Sequence, residues 1–251
     1  MIRDNNHKQG FTLIELMLSM SMVAVLLIAI VTMSMQMGRI YTKGATMFDL
    51  NAASRTINTD FTRSFNSIPS IEWRNPQNSF GASQNYVVRP STSEPQAGAY
   101  CTGNFSYLWN TARILNAPAA GRNVPIRYDG AATSSTEIKL IKILDSSRQY
   151  CADSALWTRV PRGGQVIDLL PQSESGLMIY DIRFDSKEAL RDQSTNQRMV
   201  NISYVLGTND ANRGLIDMSN MNCRPPSSAQ GMEDYCAINK FDLTVRTLGR
   251  R

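Results

Sequence analysis

An uncharged apolar run near the N-terminus constrains the fold of this chain more than any other feature. From Leu16 to Gly38 no side chain is charged, and the first charged residue after the run is Arg39. A helix of about 23 residues, rising about 1.5 Å per residue, spans the hydrocarbon core of a bilayer, which is roughly 30 Å thick. A helix also satisfies all of its own backbone polar groups in lipid. The run therefore predicts a membrane-embedded helix.

The residues around the start of this run differ from an ordinary secretory signal. Such a signal has an apolar stretch of about 7–15 residues, followed by a cleavage site with small residues. Here the run is longer, no Ala-x-Ala pattern follows it, and the small residue Gly10 precedes it. The carboxylate of Glu15 lies just inside the apolar segment, where an unpaired charge costs about 2.5–3.5 kcal/mol or more. Glu15 is therefore a candidate functional residue that requires a partner.

The residues at this boundary read Gly10-Phe11-Thr12-Leu13-Ile14-Glu15. They closely resemble the cleavage signal of type IV pilins and type II secretion pseudopilins. The resemblance implies that a prepilin peptidase cuts after Gly10, that the new N-terminal residue Phe11 is N-methylated, and that Glu15 pairs with the N-terminal amine of a neighbouring subunit. A buried amine and a buried carboxylate relieve each other's desolvation, so this pair would set the register between subunits. The alternative is a plain single-pass anchor with an accidental glutamate.

The chain is expected to divide into a leader, one long helix and a globular head. We assign residues 1–10 to the leader, 11–38 to the membrane or fibre-core helix, 39–68 to an amphipathic continuation and 69–251 to a β-rich head. The resemblance covers residues 1–68 well. Beyond them it supplies only an architectural expectation.

Apolar residues in the continuation recur at helical spacing. They are Met47, Leu50, Ile57, Phe61, Phe65 and Ile68. This spacing places them on one face, which is expected to seat the head, while Pro69 ends the helix. Gly38 and Gly44 are candidate soft points within it.

Alternating apolar and polar residues predict an antiparallel sheet with one covered face. The clearest segments are Glu137–Leu144, Met178–Phe184, Val200–Leu206 and Phe241–Val245, and shorter strands are expected at Tyr86–Val88, Phe105–Trp109 and Gln165–Leu170. In the second segment, one face should carry Met178, Tyr180, Ile182 and Phe184. Residues 70–135 are interpreted as a loop-rich insertion. The predicted fold class is α+β, type IV pilin-like, with a long N-terminal helix packed on an antiparallel β-sheet head.

Cysteine and histidine usage limits the chemistry of the chain. The single histidine is His7, in the leader, which disfavours histidine-based catalysis and a His-ligated zinc site. The four cysteines lack Cys-x-x-Cys spacing, and their even number favours two disulfides. Three pairings are open; we favour Cys101–Cys151 and Cys223–Cys236, because local closure is the simplest. Free buried thiols are the alternative.

Other candidate sites are weak. Asp210 and Asn212 open a segment like a calcium loop, but the required glutamate does not follow, so a hairpin turn is favoured. The net charge of +5 is modest and spread along the chain. A set of basic residues in the head motivates a DNA or surface ligand, namely Arg122, Arg127, Arg159 and Arg162. No catalytic residue and no cofactor are predicted.

The resemblance implies a structural role rather than an enzymatic one. With 251 residues and large loops, the chain is expected to be a minor, low-copy pilin. The alternatives are a pilus-tip adhesin or DNA-uptake subunit, a J-type pseudopilin of type II secretion, and a membrane-anchored enzyme. The implied partners are other pilin subunits, the prepilin peptidase and methyltransferase, the membrane, and an inner-membrane assembly platform with its cytoplasmic ATPase. The expected location is the cell membrane, with an extracytoplasmic head, and then the pilus.

Overall fold

The structure is a computed structural model that describes residues 12–67, 80–81, 85–89, 97–116, 124–130, 138–170, 176–186, 192–195, 197–209, 215–217, 219–224 and 236–248. Its helices are α1 (Leu13–Asn66), α2 (Ala112–Asn116), α3 (Gln149–Ala152) and a 3-10 helix (Ser154–Thr158). Its strands are β1 (Tyr86–Arg89), β2 (Ala97–Cys101), β3 (Phe105–Asn110), β4 (Leu140–Leu144), β5 (Val166–Asp168), β6 (Leu177–Ser186), β7 (Met199–Thr208), β8 (Ile216–Asp217), β9 (Asn222–Cys223) and β10 (Ile238–Arg246).

Helix α1 is the longest element, with 54 residues. Leu, Met and Ala, which have good helix propensity, recur along it, and Gly38 and Gly44 lie within it without ending it. The prediction of one continuous helix is confirmed over Leu13–Asn66. Residues 68 and 69, where the helix was predicted to end, lie outside the described residues.

Burial divides α1 into two halves. Every residue from Thr12 to Tyr41 is exposed, and the large apolar side chains among them are 49–77 % exposed. In the second half one face is buried, and it carries Leu50, Ser54, Ile57, Phe61, Ser64 and Phe65. Met47 packs partly against the same core. The predicted amphipathic stripe is therefore confirmed as the face that seats α1 on the head.

The described strands form two main antiparallel sheets. The order is β1-β2-β3-β4-β5 in the larger sheet and β10-β7-β6 in the smaller one, while β8 pairs with β9. Helix α1 packs across β10 and β7. A parallel bridge between Thr111 and Ile179 joins the end of β3 to β6, so the two sheets adjoin. The predicted α+β layout, a long helix on an antiparallel β-sheet head, is confirmed.

The first core lies between α1 and both sheets and is rich in aromatic residues. It includes Phe61 and Phe65 of the helix, Tyr107 of β3 and Phe184 of β6. The Phe184 ring stacks on Tyr100 with 4.2 Å between centroids, and Phe61 meets Tyr107 edge-on at 4.8 Å. Such ring pairs contribute about 0.5–1.5 kcal/mol each beyond the burial of their area. Aromatic contacts thus stabilise the seat of the helix.

A second core covers the opposite face of the larger sheet. In β2, Tyr100 faces the first core, whereas Ala99 and Cys101 face the second core together with Trp157. The expectation of a sheet covered on one side is therefore wrong for this sheet. Residues 70–135 were interpreted as loop-rich with two short strands; both are present as β1 and β3, and β2 is a strand that was not predicted.

A β-bulge in β6 changes the face on which part of that strand packs. Its pairing with β7 shifts register just after Ile179, so Tyr180 is an extra residue. Met178 and Tyr180 consequently pack in a third, smaller cluster, whereas Ile179, Ile182 and Phe184 enter the first core. The predicted common face for Met178, Tyr180, Ile182 and Phe184 is wrong, because one inserted residue reverses the alternation.

The other predicted strands are present with shifted ends. Strands β1, β3, β7 and β10 contain the predicted segments. Strand β4 begins at Leu140 rather than at residue 137, which lies outside the described residues. Strand β5 covers only Val166–Asp168 of the predicted segment at 165–170.

Both favoured disulfides are present. Cys101 at the end of β2 is bonded to Cys151 of α3, with 6.3 Å between the Cα atoms. Cys223 of β9 is bonded to Cys236, just before β10, with 6.0 Å between the Cα atoms. The first bond lies inside the second core, where both of its residues are fully buried.

Candidate assembly site at the start of the helix

The candidate functional residues of the sequence lie at the start of α1. Gly10 and Phe11 lie outside the described residues. Glu15 is described, and it occupies the first turn of α1, three residues after the N-cap residue Thr12. The structure therefore describes one of the three residues to which the resemblance assigns a role.

Thr12 and Glu15 form a reciprocal capping box. The backbone N–H of Glu15 donates to the Thr12 hydroxyl oxygen, and the backbone N–H of Thr12 donates to Glu15 Oε2, both at 3.4 Å. The Thr12 hydroxyl donates to the same carboxylate oxygen at 3.2 Å. These donors matter in lipid, where water does not satisfy a polar group. Glu15 thus has hydrogen-bond partners within its own chain, and the residue is exposed.

The rest of the exposed half of α1 is suited to an apolar environment. Its length and composition are sufficient for the helix to cross a membrane. The hydroxyls of Ser19, Ser21 and Thr32 each donate to a backbone carbonyl one turn earlier, at 2.9 Å. These bonds satisfy the hydroxyls inside the helix. No described polar side chain between Ser19 and Thr32 therefore needs water.

The fold and the helix start together define a β-sheet head carried on a membrane-length N-terminal helix. A family model described as the prokaryotic N-terminal methylation motif matches residues 5–31. The chain therefore carries the N-terminal signal of type IV pilins and pseudopilins, which confirms the resemblance seen in residues 10–15. This signal implies processing by a prepilin peptidase and assembly with other pilins as a structural subunit. No curated protein and no solved structure matches the chain.

A buried polar clamp joins α1 to the larger sheet. The Lys142 ammonium of β4 lies 2.9 Å from an Asp60 carboxylate oxygen and also donates to the Ser64 hydroxyl. Tyr107 of β3 donates to the second Asp60 oxygen at 2.8 Å. The side chains of Lys142 and Asp60 are only 7 % and 17 % exposed, and the ammonium lies 4.3 Å from the Phe105 ring centroid. Burial, and then the Asp60 charge, raise the pKa of Tyr107, which keeps its hydroxyl a donor.

A second polar contact joins α1 to the smaller sheet. The Tyr204 hydroxyl of β7 donates to Asn58 Oδ1 at 2.8 Å and to the Ser54 carbonyl at 3.2 Å. Burial raises the pKa of Tyr204, so this hydroxyl also remains protonated. Because α1 is bonded to both sheets, its rotation about its own axis is fixed. The structure thereby defines which face of the helix points away from the head.

The structure brings together three of the four arginines that motivated a ligand-binding head. A parallel bridge joins Tyr128 to the residue after Arg159, which sets Arg127 and Arg159 on neighbouring segments. The Arg162 guanidinium lies 5.7 Å from the Tyr128 ring centroid. Arg122 lies outside the described residues.

The charge of this region is mixed rather than uniformly positive. Asp129 directly follows Tyr128, and the charges of Asp168 and Arg162 both act on the Tyr128 hydroxyl. Burial raises the pKa of Tyr128 to about 12, with Asp168 raising it further and Arg162 opposing. The Tyr128 hydroxyl therefore stays neutral at physiological pH, and the region is not a basic stripe.

The remaining candidates do not form a site among the described residues. Asp210 and Asn212 lie outside them. Within the part of the chain that the structure describes, no group of three or more His, Cys, Asp or Glu residues is placed to hold a metal ion. Trp109 and Trp157 are 1 % and 0 % exposed, so both belong to the cores.

Sequence reasoning missed the capping box and the clamp, for different reasons. The Thr-x-x-Glu pattern of Thr12 and Glu15 is a readable helix-start signal. Asp60 is not a member of the predicted apolar stripe, and nothing near it in the sequence marks it for burial. Its partner Lys142 is 82 positions away in the sequence, and a buried ion pair of that separation leaves no local pattern.

Proposed function

We propose that the chain is a minor, low-copy pilin-like structural subunit. It is cleaved after Gly10, methylated on Phe11 and assembled into a pilus or pseudopilus. The observation that carries this proposal is the wholly exposed apolar half of α1, which begins with the capping box of Thr12 and Glu15. Such a surface is stable in lipid or against other apolar helices, and costly in water. The methylation motif at residues 5–31 supports the proposal, because it is the N-terminal signal of pilin-like proteins.

Glu15 acts as the register residue in this proposal. In the single chain it is bonded to Thr12. After cleavage, the Phe11 amine of a neighbouring subunit becomes its charged partner when two parallel helices are offset by four residues, about 6 Å along the axis. Other offsets leave two buried charges unpaired, at several kcal/mol each, so they are disfavoured.

Topology and partners follow from the same arrangement. The leader stays in the cytoplasm and the head lies outside, where an oxidising compartment suits its two disulfides. The prepilin peptidase and methyltransferase act on the helix start, and other pilin subunits cover the helix. An inner-membrane platform with its cytoplasmic ATPase drives extraction, and this chain supplies none of that work. A J-type pseudopilin of type II secretion has the same features, and the fibre that the chain enters distinguishes the two.

Mass spectrometry of the mature N-terminus, together with fibre incorporation, tests the proposal. We expect the native chain in sheared fibres to begin with N-methylated Phe11. A Glu15→Gln variant, which keeps the shape but not the charge, should be processed and should enter fibres poorly. Asp49→Asn, at an exposed position of the second half of α1, is the matched control and should enter normally. Recovery of the native protein with Met1 attached, solely in membranes, would refute the proposal.

A ligand-binding head is the second candidate function. The bridge that brings Arg127 beside Arg159 favours it, and this surface lies by the second core, which contains no residue of α1. A polyanion bound there should dissociate steeply as salt rises. We expect Arg159→Gln with Arg162→Gln to weaken DNA binding by the soluble head (residues 45–251) and to flatten its salt slope. Arg55→Gln with Arg246→Gln removes equal charge elsewhere, and equal losses in both variants would exclude a specific surface.

A further inference from the structure

Two basic residues lie on α1 at the point where its uncharged apolar run ends. Arg39 is the first charged residue after the run, and Lys43 follows about one turn later. Both residues are exposed. Residues four positions apart share one face of a helix, so the two cationic side chains lie on the same side of α1, about 6 Å apart along its axis. We call this pair the collar.

The part of α1 around the collar is positively charged. Between Glu15 and Asp49 the sequence contains no aspartate or glutamate. Glu15 lies at the far end of the apolar run, about 36 Å from Arg39 along the helix axis. Asp49 lies about 9 Å beyond Lys43 along the axis and a third of a turn around it, whereas charges are screened over about 8 Å at physiological ionic strength. The acids of the helix therefore offset the collar only weakly.

The collar lies on the same side of α1 as the head. Lys43 and Leu50 are seven residues apart, which is close to two turns, and Arg39 and Ile57 are 18 residues apart, which is five turns. Leu50 and Ile57 both belong to the face of α1 that is buried against the head. The head therefore lies above the collar on this side, and about 10 Å of helix separates Lys43 from Leu50.

The collar reaches the lipid headgroups when the apolar run spans a bilayer. The run ends at Gly38, and Arg39 and Lys43 lie about 1.5 and 7.5 Å beyond it along the axis. The headgroup layer is roughly 5–8 Å thick on each side of the hydrocarbon core. Tyr41, which is 77 % exposed, lies at the same level, where aromatic residues are enriched in membrane proteins. Long basic side chains also extend readily along the interface.

We propose that the collar binds the phosphate of an anionic lipid headgroup, which it holds between the bilayer surface and the head. The inference rests on the proposed function, which places α1 in a membrane, and deepens it by naming the class of lipid. Lipid phosphates are the anions that surround the helix at this level. They enter the gap below the head from the membrane side, whereas a long polyanion has to pass between the head and the bilayer.

The two side chains suit this ligand in different ways. The Arg39 guanidinium has five N–H donors, so it can bind a phosphate through two parallel hydrogen bonds and keep contacts within the chain. The Lys43 ammonium adds a second, compact charge on a flexible stem. A zwitterionic headgroup carries its own ammonium, which competes for the phosphate. The collar should therefore prefer a headgroup with a net negative charge.

Photo-crosslinking lipids test this preference. The full-length chain is reconstituted in phosphatidylcholine vesicles with a trace of photoreactive phosphatidylglycerol or of photoreactive phosphatidylcholine. We expect about fivefold or more labelling by the anionic probe relative to the zwitterionic probe. Arg39→Gln with Lys43→Gln should remove the preference. Arg55→Gln with Arg63→Gln removes equal charge from exposed positions of α1 beside the head, and should retain it.

Mass spectrometry of the adducts provides the second readout, which does not depend on the variants. The anionic probe should label residues 38–46. Equal labelling of the wild-type chain by both probes, a preference that survives the collar variant, or adducts spread evenly over the head would overturn the inference. Recovery of the native chain with its leader attached is a different result. It removes the proposed function but leaves the vesicle assay unchanged, because that assay requires neither cleavage nor a fibre.

Discussion

At the edge of the apolar segment, neighbouring groups satisfy the hydrogen-bonding capacity of the Glu15 side chain. Thr12 supplies a hydroxyl and a backbone N–H to one carboxylate oxygen, and Glu15 returns a backbone N–H to the hydroxyl. In the proposed assembly, the amine of a sister subunit replaces Thr12 as the donor to this carboxylate, so the acid keeps a partner in the apolar segment.

Replacing Thr12 tests this account at the level of a single side chain. Thr12→Val keeps the shape but removes the hydroxyl, and loss of an N-cap costs about 0.5–2 kcal/mol. We expect faster hydrogen exchange of the first-turn amides of the mature chain in bilayers, by roughly threefold to thirtyfold. Thr12→Ser should exchange like wild type. Unchanged exchange in Thr12→Val would mean that the hydroxyl does not cap the helix.

The elements show where local patterns predict the fold and where they fail. Helix α1, its buried stripe and most strands follow from spacing alone, because each signal lies within one segment. Strand β2 was missed because its small residues show no apolar alternation; its Gly98 is needed where a Cβ would lie 2.1 Å from a Trp109 ring atom. The bulge at Tyr180 likewise depends on pairing with β7, and no pattern within β6 contains it.

The contact between α1 and the larger sheet gives a prediction about one buried ion pair. Lys142→Met leaves Asp60 without its counter-charge in the seat of the helix, and such a loss costs about 3–5 kcal/mol. Lys240→Met breaks the ion pair between Lys240 and Asp242. The two side chains are 63 % and 54 % exposed, so this change should lower the free energy of unfolding by under about 1 kcal/mol.

Urea unfolding of the soluble head (residues 45–251) measures both free energies of unfolding. Lys142→Met combined with Asp60→Asn should recover part of the loss, because the uncompensated charge is gone and an oxygen remains to accept from Tyr107. Similar small losses for the Lys142 and Lys240 variants would show that the clamp does not fix the helix.

At the scale of the whole molecule, the head is built from two cores that share the larger sheet. The first core includes buried residues from the second half of α1, so this part of the head is packed directly on the helix. The second core contains no residue of α1 and is closed by the disulfide between Cys101 and Cys151. The two cores therefore divide the head into a side that packs on α1 and a side that does not.

The two disulfides should therefore contribute unequally to the stability of the head. Cys101 and Cys151 are 50 residues apart, whereas Cys223 and Cys236 are 13 apart. The chain-entropy model gives about 4 kcal/mol for the longer loop and about 3 kcal/mol for the shorter. Removing the first bond also disturbs the second core, in which both of its cysteines are fully buried. The loss for Cys101→Ala with Cys151→Ala should therefore exceed that for Cys223→Ala with Cys236→Ala.

Urea unfolding of the soluble head, monitored by tryptophan fluorescence in a background in which Trp73 and Trp109 are replaced by Phe, separates these contributions, because the remaining Trp157 is buried in the second core whereas Trp109 belongs to the first. In the Cys101 and Cys151 double variant, we expect the fluorescence transition to move to lower urea by more than in the other double variant. The secondary-structure signal of the first core should follow at higher urea if the two cores unfold separately. Equal shifts in both variants would show that the sheet couples the cores into one unit, and that loop length alone does not set the contribution of each bond.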